Sequence, residues 1–224
     1  MANGRLAPVM PRSPKPPPGT LVLLVRHGRT PTTGETLPGR APGLHLSDAG
    51  RAQADTVAAR LVALPRVDAV YASPMERTRE TAAPIARARK LRVRAERGLL
   101  ECDFGEWTGK PLKDLAKLPE WATVQRYPSG FRFPRGESFV EMQTRMVSAI
   151  DRLRERHAGG VVVAVSHADP IKAAVAEAVG THLDLFQRIV ISPCSVTAVL
   201  YGRTGPTVLA VNSTAGGLEE LAPS

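Results

Sequence analysis

Two histidines stand at equivalent places in this chain. Arg26-His27-Gly28 ends the apolar run Leu21–Val25, and Ser166-His167-Ala168-Asp169 ends the run Val161–Val165. Continuous apolar runs of this length read as strands buried on both faces of a parallel sheet. In open α/β sheets the ligand crevice lies outside the carboxyl ends of such strands. Two of the five histidines are therefore expected to face one crevice, with an arginine beside the first. A neutral imidazole there can attack phosphorus and form a phosphohistidine. Its other nitrogen must then donate to an acceptor such as a backbone carbonyl. Arginine neighbours favour that state by lowering the imidazole pKa. The second histidine, if protonated, would donate to the phosphoryl oxygens, so that two imidazoles serve in different protonation states.

A phosphoryl group carries charge spread over its oxygens, which planar guanidinium forks match. Arg26 is one such fork. Arg77, in Ser73-Pro74-Met75-Glu76-Arg77, is a second, placed in the first turns of a helix whose dipole favours an anion. The leaving oxygen needs a proton. Glu101 is the candidate acid where the chain leaves the sheet, in Leu99-Leu100-Glu101-Cys102-Asp103-Phe104-Gly105-Glu106. Asp103 and Glu106 compete for the role, and the local sequence does not choose among the three.

Other motifs fall short. Gly105–Lys110 is one residue too short for a P-loop and is followed by Pro111. His182 and Asp184 alone do not make a metal site. Cys102 and Cys194 form neither a disulfide framework nor a zinc motif, and read as small buried hydrophobes.

The elements that must position these groups follow from periodicity. With 43% hydrophobic but only 4% aromatic residues, the core must be built from aliphatic side chains. Strands alternating with helices indicate a three-layer α/β/α sandwich with a mostly parallel central sheet. Strands are expected near 21–26, 67–72, 92–95, 161–166, 195–201 and 207–211, the last two as a closing pair. Ser47 caps a helix reaching about Leu64, and Pro74 is expected in the first turn of a helix reaching Ala88. Residues 137–157 form a long amphipathic helix, and another helix runs from Asp169 to Val179. Residues 99–136 are a lid-like excursion with short helices near 111–117 and 120–126. One domain over residues 20–213 is expected, flanked by a disordered Pro/Arg-rich tail at 1–19 and a loose tail at 214–224.

The formal net charge is +9, but no helix-turn-helix, zinc finger or aromatic RNA-binding pattern accompanies it. The reading is a crevice that prefers anions, with no nucleic-acid partner. No run approaches the ~18 apolar residues of a membrane span. Pro11, Pro14 and Pro16–Pro18 interrupt the only stretch near the start that resembles a signal peptide. A soluble, cytoplasmic protein is expected, with no membrane partner.

Leu24-Val25-Arg26-His27-Gly28-Arg29-Thr30 resembles the signature of the histidine phosphatase, or phosphoglycerate mutase-like, superfamily. Further matches follow in chain order: Leu46–Ala54; Tyr71–Pro74 with Arg77 and Thr81; Glu101 with Phe104, Gly105, Trp107 and Gly109; Pro134 with Gly136–Ser138; and Val165–His167. The resemblance implies His27 as nucleophile, with Arg26, Arg77 and His167 holding the phosphoryl group. It implies Glu101 as the acid that later activates water, a hydroxyl contact from Thr30, and help from the Ala168 backbone amide. It implies no metal or cofactor. Thr33 stands where many members carry Asn, and Ala168-Asp169-Pro170 follows the second histidine where glycine is common.

A small phosphorylated substrate is the implied partner. Hydrolysis is the first reading. A phosphoglycerate-type mutase is the alternative, with Arg126, Arg132 and Arg135 available for a second anionic group. His167 follows Glu101 by only 66 positions, which favours hydrolysis, because cofactor-dependent mutases of the family carry a longer insertion there. A non-catalytic basic binding protein is the remote alternative.

Overall fold

The computed structural model describes residues 19–218. The Pro/Arg-rich segment 1–18 and the last six residues, 219–224, lie outside that range. Six strands form one sheet: β1 (Thr20–Arg26), β2 (Ala69–Ala72), β3 (Val93–Ala95), β4 (Val161–Ser166), β5 (Val196–Gly202) and β6 (Gly205–Ser213). Their order is β3-β2-β4-β1-β5-β6. β1 to β4 are mutually parallel, and β5 runs antiparallel to both β1 and β6.

The described residues form six α-helices: α1 (Asp48–Val62), α2 (Glu76–Ala88), α3 (Leu112–Leu115), α4 (Glu120–Arg126), α5 (Phe139–Arg156) and α6 (Ala168–Ala178), of which α1, α2, α5 and α6 cover the sheet. β1 shows why three layers form. Leu21, Leu23 and Val25 pack with α1 and α2 on one face, while Val22 and Leu24 pack with α5 and α6 on the other. Side chains alternate faces along a strand, so an apolar run must be covered twice. Each fully buried aliphatic side chain contributes about 1.5–3 kcal/mol.

Two helix starts follow their capping chemistry, and a third departs from it. Ser47 caps α1 by accepting from the Gly50 amide. Ser138 and Glu141 form a capping box on α5. The α2 start differs from expectation: Met75 is its N-cap, so Pro74 precedes the helix. The Ser73 amide still donates to the Val165 carbonyl at 3.0 Å, which prolongs the sheet ladder and delays the helix.

The excursion after β3 has its own apolar core of Phe104, Trp107, Phe131, Phe133, Phe139 and Phe186. The first loop locks onto it, with Leu37 N donating to Lys110 O at 3.0 Å and Gly109 N to Leu37 O at 2.7 Å. Phe186 comes from a short 3-10 turn, Leu183–Arg188, that has no periodic signal. His182 accepts from the Asp184 amide at its start.

The described part of the loose tail expected after Ser213 is held instead. Arg60 donates to the carbonyls of Ser213, Gly216 and Ala215, and Leu218 is buried in the core. Both cysteines are buried and free. Burial pushes their thiols up, Cys194 to about 12, which disfavours the thiolate. Among the described residues no helix is long and apolar enough to cross a membrane.

Candidate active site

β1 and β4 are neighbours, with Arg26 opposite Ser166. The His27 amide donates to the Ser166 carbonyl at 3.0 Å. The strand ends are thus bonded at the point where each delivers its histidine. The ring centroids of His27 and His167 lie 5.2 Å apart, with planes at 65°.

His27 is buried, and its Nδ1 lies 2.7 Å from its neighbour's carbonyl, Gly28 O. A carbonyl only accepts, so Nδ1 carries the proton and Nε2 keeps its lone pair. Burial holds the His27 pKa well below the usual imidazole range, and the charges of Arg77 and Arg26 add to that. Gly28 is required by close packing, because a Cβ there would meet the Gly50 carbonyl oxygen at 2.5 Å. The Gly28 amide donates to Thr81 Oγ1 at 3.0 Å, and that hydroxyl donates to Arg77 O at 2.7 Å. Thr81 therefore ties the histidine turn to α2.

His167 is also held neutral, chiefly by burial and then by Arg77. This differs from the protonated form suggested by the sequence. An Arg77 Nη2–H donates to His167 Nδ1 at 3.1 Å, so the ring proton sits on Nε2 and is donated to Ser73 Oγ at 2.9 Å. A guanidinium that donates to an imidazole nitrogen leaves no room for a second proton there.

Arg77 is fully buried at 0% exposure. Its Nη2 also donates to Gly39 O at 2.8 Å, but its Nε and Nη1 have no partner among the described residues. Arg26 spends Nη1 on Ile191 O at 2.7 Å, and its buried Nε is likewise unpartnered. Burial lowers both guanidinium pKa values, without bringing either near neutrality. Unpaired buried donors are rare in native proteins. Here three of them belong to the two arginines beside His27.

Two helix starts add to this. Met75 at α2 and His167 at α6 make no side-chain cap, unlike Ser47 at α1 and Ser138 at α5. The first amides of α6, Ala168 N–H among them, keep their donor capacity and a favourable dipole for an anion.

Burial separates the three candidate acids. Asp103 is half-buried and Glu106 is exposed. Both are paired, with Arg40 at 3.6 Å and Arg135 at 2.7 Å respectively. Glu101 is 7% exposed, and among the described residues its carboxylate accepts only from the Cys102 amide, at 2.9 Å. Burial first, and the charge of Asp169 second, push its pKa up to about 7. Thr30 is buried and Thr33 is drawn into a local turn. Thr33 Oγ1 accepts from the Thr30 amide at 2.8 Å and lies 2.9 Å from its hydroxyl. Asp169 pairs with Lys172 at 3.1 Å.

Sequence reasoning missed the contacts of Ser73 with His167, of Thr81 with the Gly28 amide, and of Arg40 and Arg145 with the Glu101 carbonyl. Uncapped helix starts at Met75 and His167 are a usable signal for an anion site. The partners of the hydroxyls and arginines lie too far along the chain for any local pattern.

Residues 22–214 match the family model of the histidine phosphatase superfamily, branch 1. An uncharacterized protein of Mycobacterium tuberculosis is 41% identical over 157 residues, covering 69% of this chain and 76% of that one. Phosphoserine phosphatase 1 of Hydrogenobacter thermophilus is 32% identical over 179 residues, covering 74% and 79%. The crystal structure of the α-ribazole phosphatase from Shigella flexneri superposes with a TM-score of 0.76 at 25% identity, covering 89% of this chain and 99% of that one. The order of the sheet, the paired histidines at its crevice and the length of the match agree: the chain belongs to the histidine phosphatase superfamily.

Proposed function

We propose that this protein hydrolyses small phosphomonoesters through a phosphohistidine on His27. The observation that carries this reading is the His27 ring itself, with Nδ1 held by Gly28 O and the buried, unpartnered donors of Arg26 and Arg77 beside it. The phosphoryl oxygens bind those donors and the open amides of α6. Nε2 of His27 attacks phosphorus, and the bond to the leaving oxygen breaks. Glu101, protonated below about pH 7, gives its proton to that oxygen and becomes a carboxylate. The same carboxylate then takes a proton from water as the water attacks phosphorus. The P–N bond breaks, inorganic phosphate leaves, and His27 is again neutral. A carboxyl poised near the working pH suits both halves of this cycle.

The short stretch of 66 positions from Glu101 to His167 supports hydrolysis over transfer between two sites on an acid substrate. Of the three arginines of the excursion, Arg132 is engaged by Glu141 and Arg135 pairs with Glu106 at 2.7 Å, both on the exposed surface. The test is phosphate release from a panel of phosphomonoesters, run beside 3-phosphoglycerate isomerisation, with wild type and His27→Ala. His27-dependent release is expected. Isomerisation without release would make the protein a mutase, and silence in both assays would remove the enzymatic reading.

A further inference from the structure

Glu101 sits on a segment with no regular structure: residues 100–104 belong to neither helix nor strand. Its placement comes from three charged side chains that no part of the reaction uses. Arg145, on α5, donates Nη1 to the carbonyls of Gly98 at 2.9 Å and Leu100 at 2.7 Å, and Nη2 to that of Glu101 at 2.8 Å. Arg40, in the first loop, donates Nε to the same Glu101 carbonyl at 2.8 Å. Glu137 joins the two. Its carboxylate accepts from Arg145 at 2.6 and 2.9 Å, from Arg40 at 2.9 Å and from the Asp103 amide at 3.2 Å. The Glu137 side chain is only 13% exposed, and every carboxylate oxygen has a partner, as a buried ion network requires.

We infer that Arg40, Glu137 and Arg145 are positioning residues that fix Glu101 against the phosphate-binding arginine. Arg40 follows Gly39, whose carbonyl accepts from Arg77 at 2.8 Å. Consecutive loop residues therefore hold the acid and the phosphate fork in one register. The loop packs closely at this point: Gly39 has φ +51°, and a Cβ there would meet Thr108 Oγ1 at 2.9 Å. With its main chain held by two guanidinium groups, Glu101 can swing only its side chain, which keeps the proton close to one leaving-group position.

This assignment rests on Glu101 being the acid, and the test separates the two claims. First-turnover release of the leaving group is measured on 4-nitrophenyl phosphate and on the best alkyl phosphate of the panel. Arg145→Lys and Arg40→Ala should each lose about 10- to 100-fold on the alkyl ester and less than ~3-fold on the nitrophenyl ester, which leaves without a proton. Neither should cost more when combined with Glu101→Gln, since residues acting through one group are non-additive. Equal losses on both esters, or losses that add fully to Glu101→Gln, would overturn the assignment and make the triad a scaffold only. Should Arg145→Lys not fold, Arg40→Ala decides alone, because Arg40 lies in a loop outside the apolar clusters. A His27→Ala variant that releases nitrophenolate at the wild-type rate would overturn the phosphohistidine reading instead, and this assignment with it.

Discussion

His27 and His167 are placed by adjacent strands, whereas Glu101 is placed by side chains reaching in from an outer helix and a loop. At the proposed phosphate end the sheet does the positioning. The β1–β4 ladder, the Gly28 turn and the α2 start fix His27, His167 and Arg77 through backbone geometry and short side-chain contacts. At the acid end there is no ladder, and Arg145 supplies hydrogen bonds to three carbonyls that a strand would otherwise satisfy. The first construction is stiff because main-chain hydrogen bonds repeat along it. The second depends on a few charged contacts, so single substitutions there should change the chemistry without dismantling the fold.

That contrast can be broken by mutation, and the largest effect should come from the strand-built end. His27→Ala should abolish turnover, because in the proposed mechanism His27 is the group that accepts the phosphoryl group; the His167 ring nitrogens are both engaged, by Arg77 and Ser73. Wild-type rates from this variant in a steady-state phosphate assay would end the site assignment. Glu101→Gln should cost about 10²- to 10⁴-fold in first-turnover release from alkyl esters. It should cost far less with 4-nitrophenyl phosphate, and equal losses would mean that another group supplies the proton. Arg77→Ala should cost about 3 kcal/mol of transition-state stabilisation, the scale of losing one preorganised donor. Its check is an equal loss on good and poor leaving groups, because Arg77 as proposed would serve the phosphoryl oxygens in both.

The smallest effect sharpens the acid end. First-turnover transfer from an alkyl ester should fall as pH rises through about 7, where Glu101 ionises. Transfer from the nitrophenyl ester should lack that limb. The acid limb for both should lie well below pH 6.5, because His27 is held neutral. Asp169 raises the Glu101 pKa through its negative charge. Asp169→Asn should therefore lower that pKa and move the alkyl-ester limb to lower pH. A limb that stays in place, or moves up, would remove Asp169 from the account.

The same contrast explains what is legible in the sequence. Apolar runs of Val and Leu announce buried strands, so the residues at their ends stand out as site candidates from the amino-acid order alone. Arg77 stands out as a candidate from its strand-to-helix junction, but alone it reads as a solvated surface residue, and its complete burial is not legible. The choice among Glu101, Asp103 and Glu106 does not follow from local pattern, because it depends on burial behind the lid and on Arg40 and Arg145, which lie 61 and 44 positions away along the chain. The family resemblance selects Glu101, and its burial supports that choice. The neutrality of His167 is not legible either, since it depends first on burial and then on a guanidinium 90 positions away that donates to its ring. Residues 214–218 read as loose because they lack periodicity, yet Arg60 and the core hold them. The Leu183–Arg188 turn escapes for a related reason, as short 3-10 pieces carry no repeating pattern.

The most direct test of the central claim is to trap the intermediate. Protein turning over a ³²P-labelled phosphomonoester is quenched in alkali, digested, and its labelled peptide sequenced by mass spectrometry. The account predicts alkali-stable, acid-labile phosphate on the peptide carrying His27, absent from His27→Ala and longer-lived in Glu101→Gln. Label on any other residue, or undiminished turnover by His27→Ala with no trapped label, would contradict it.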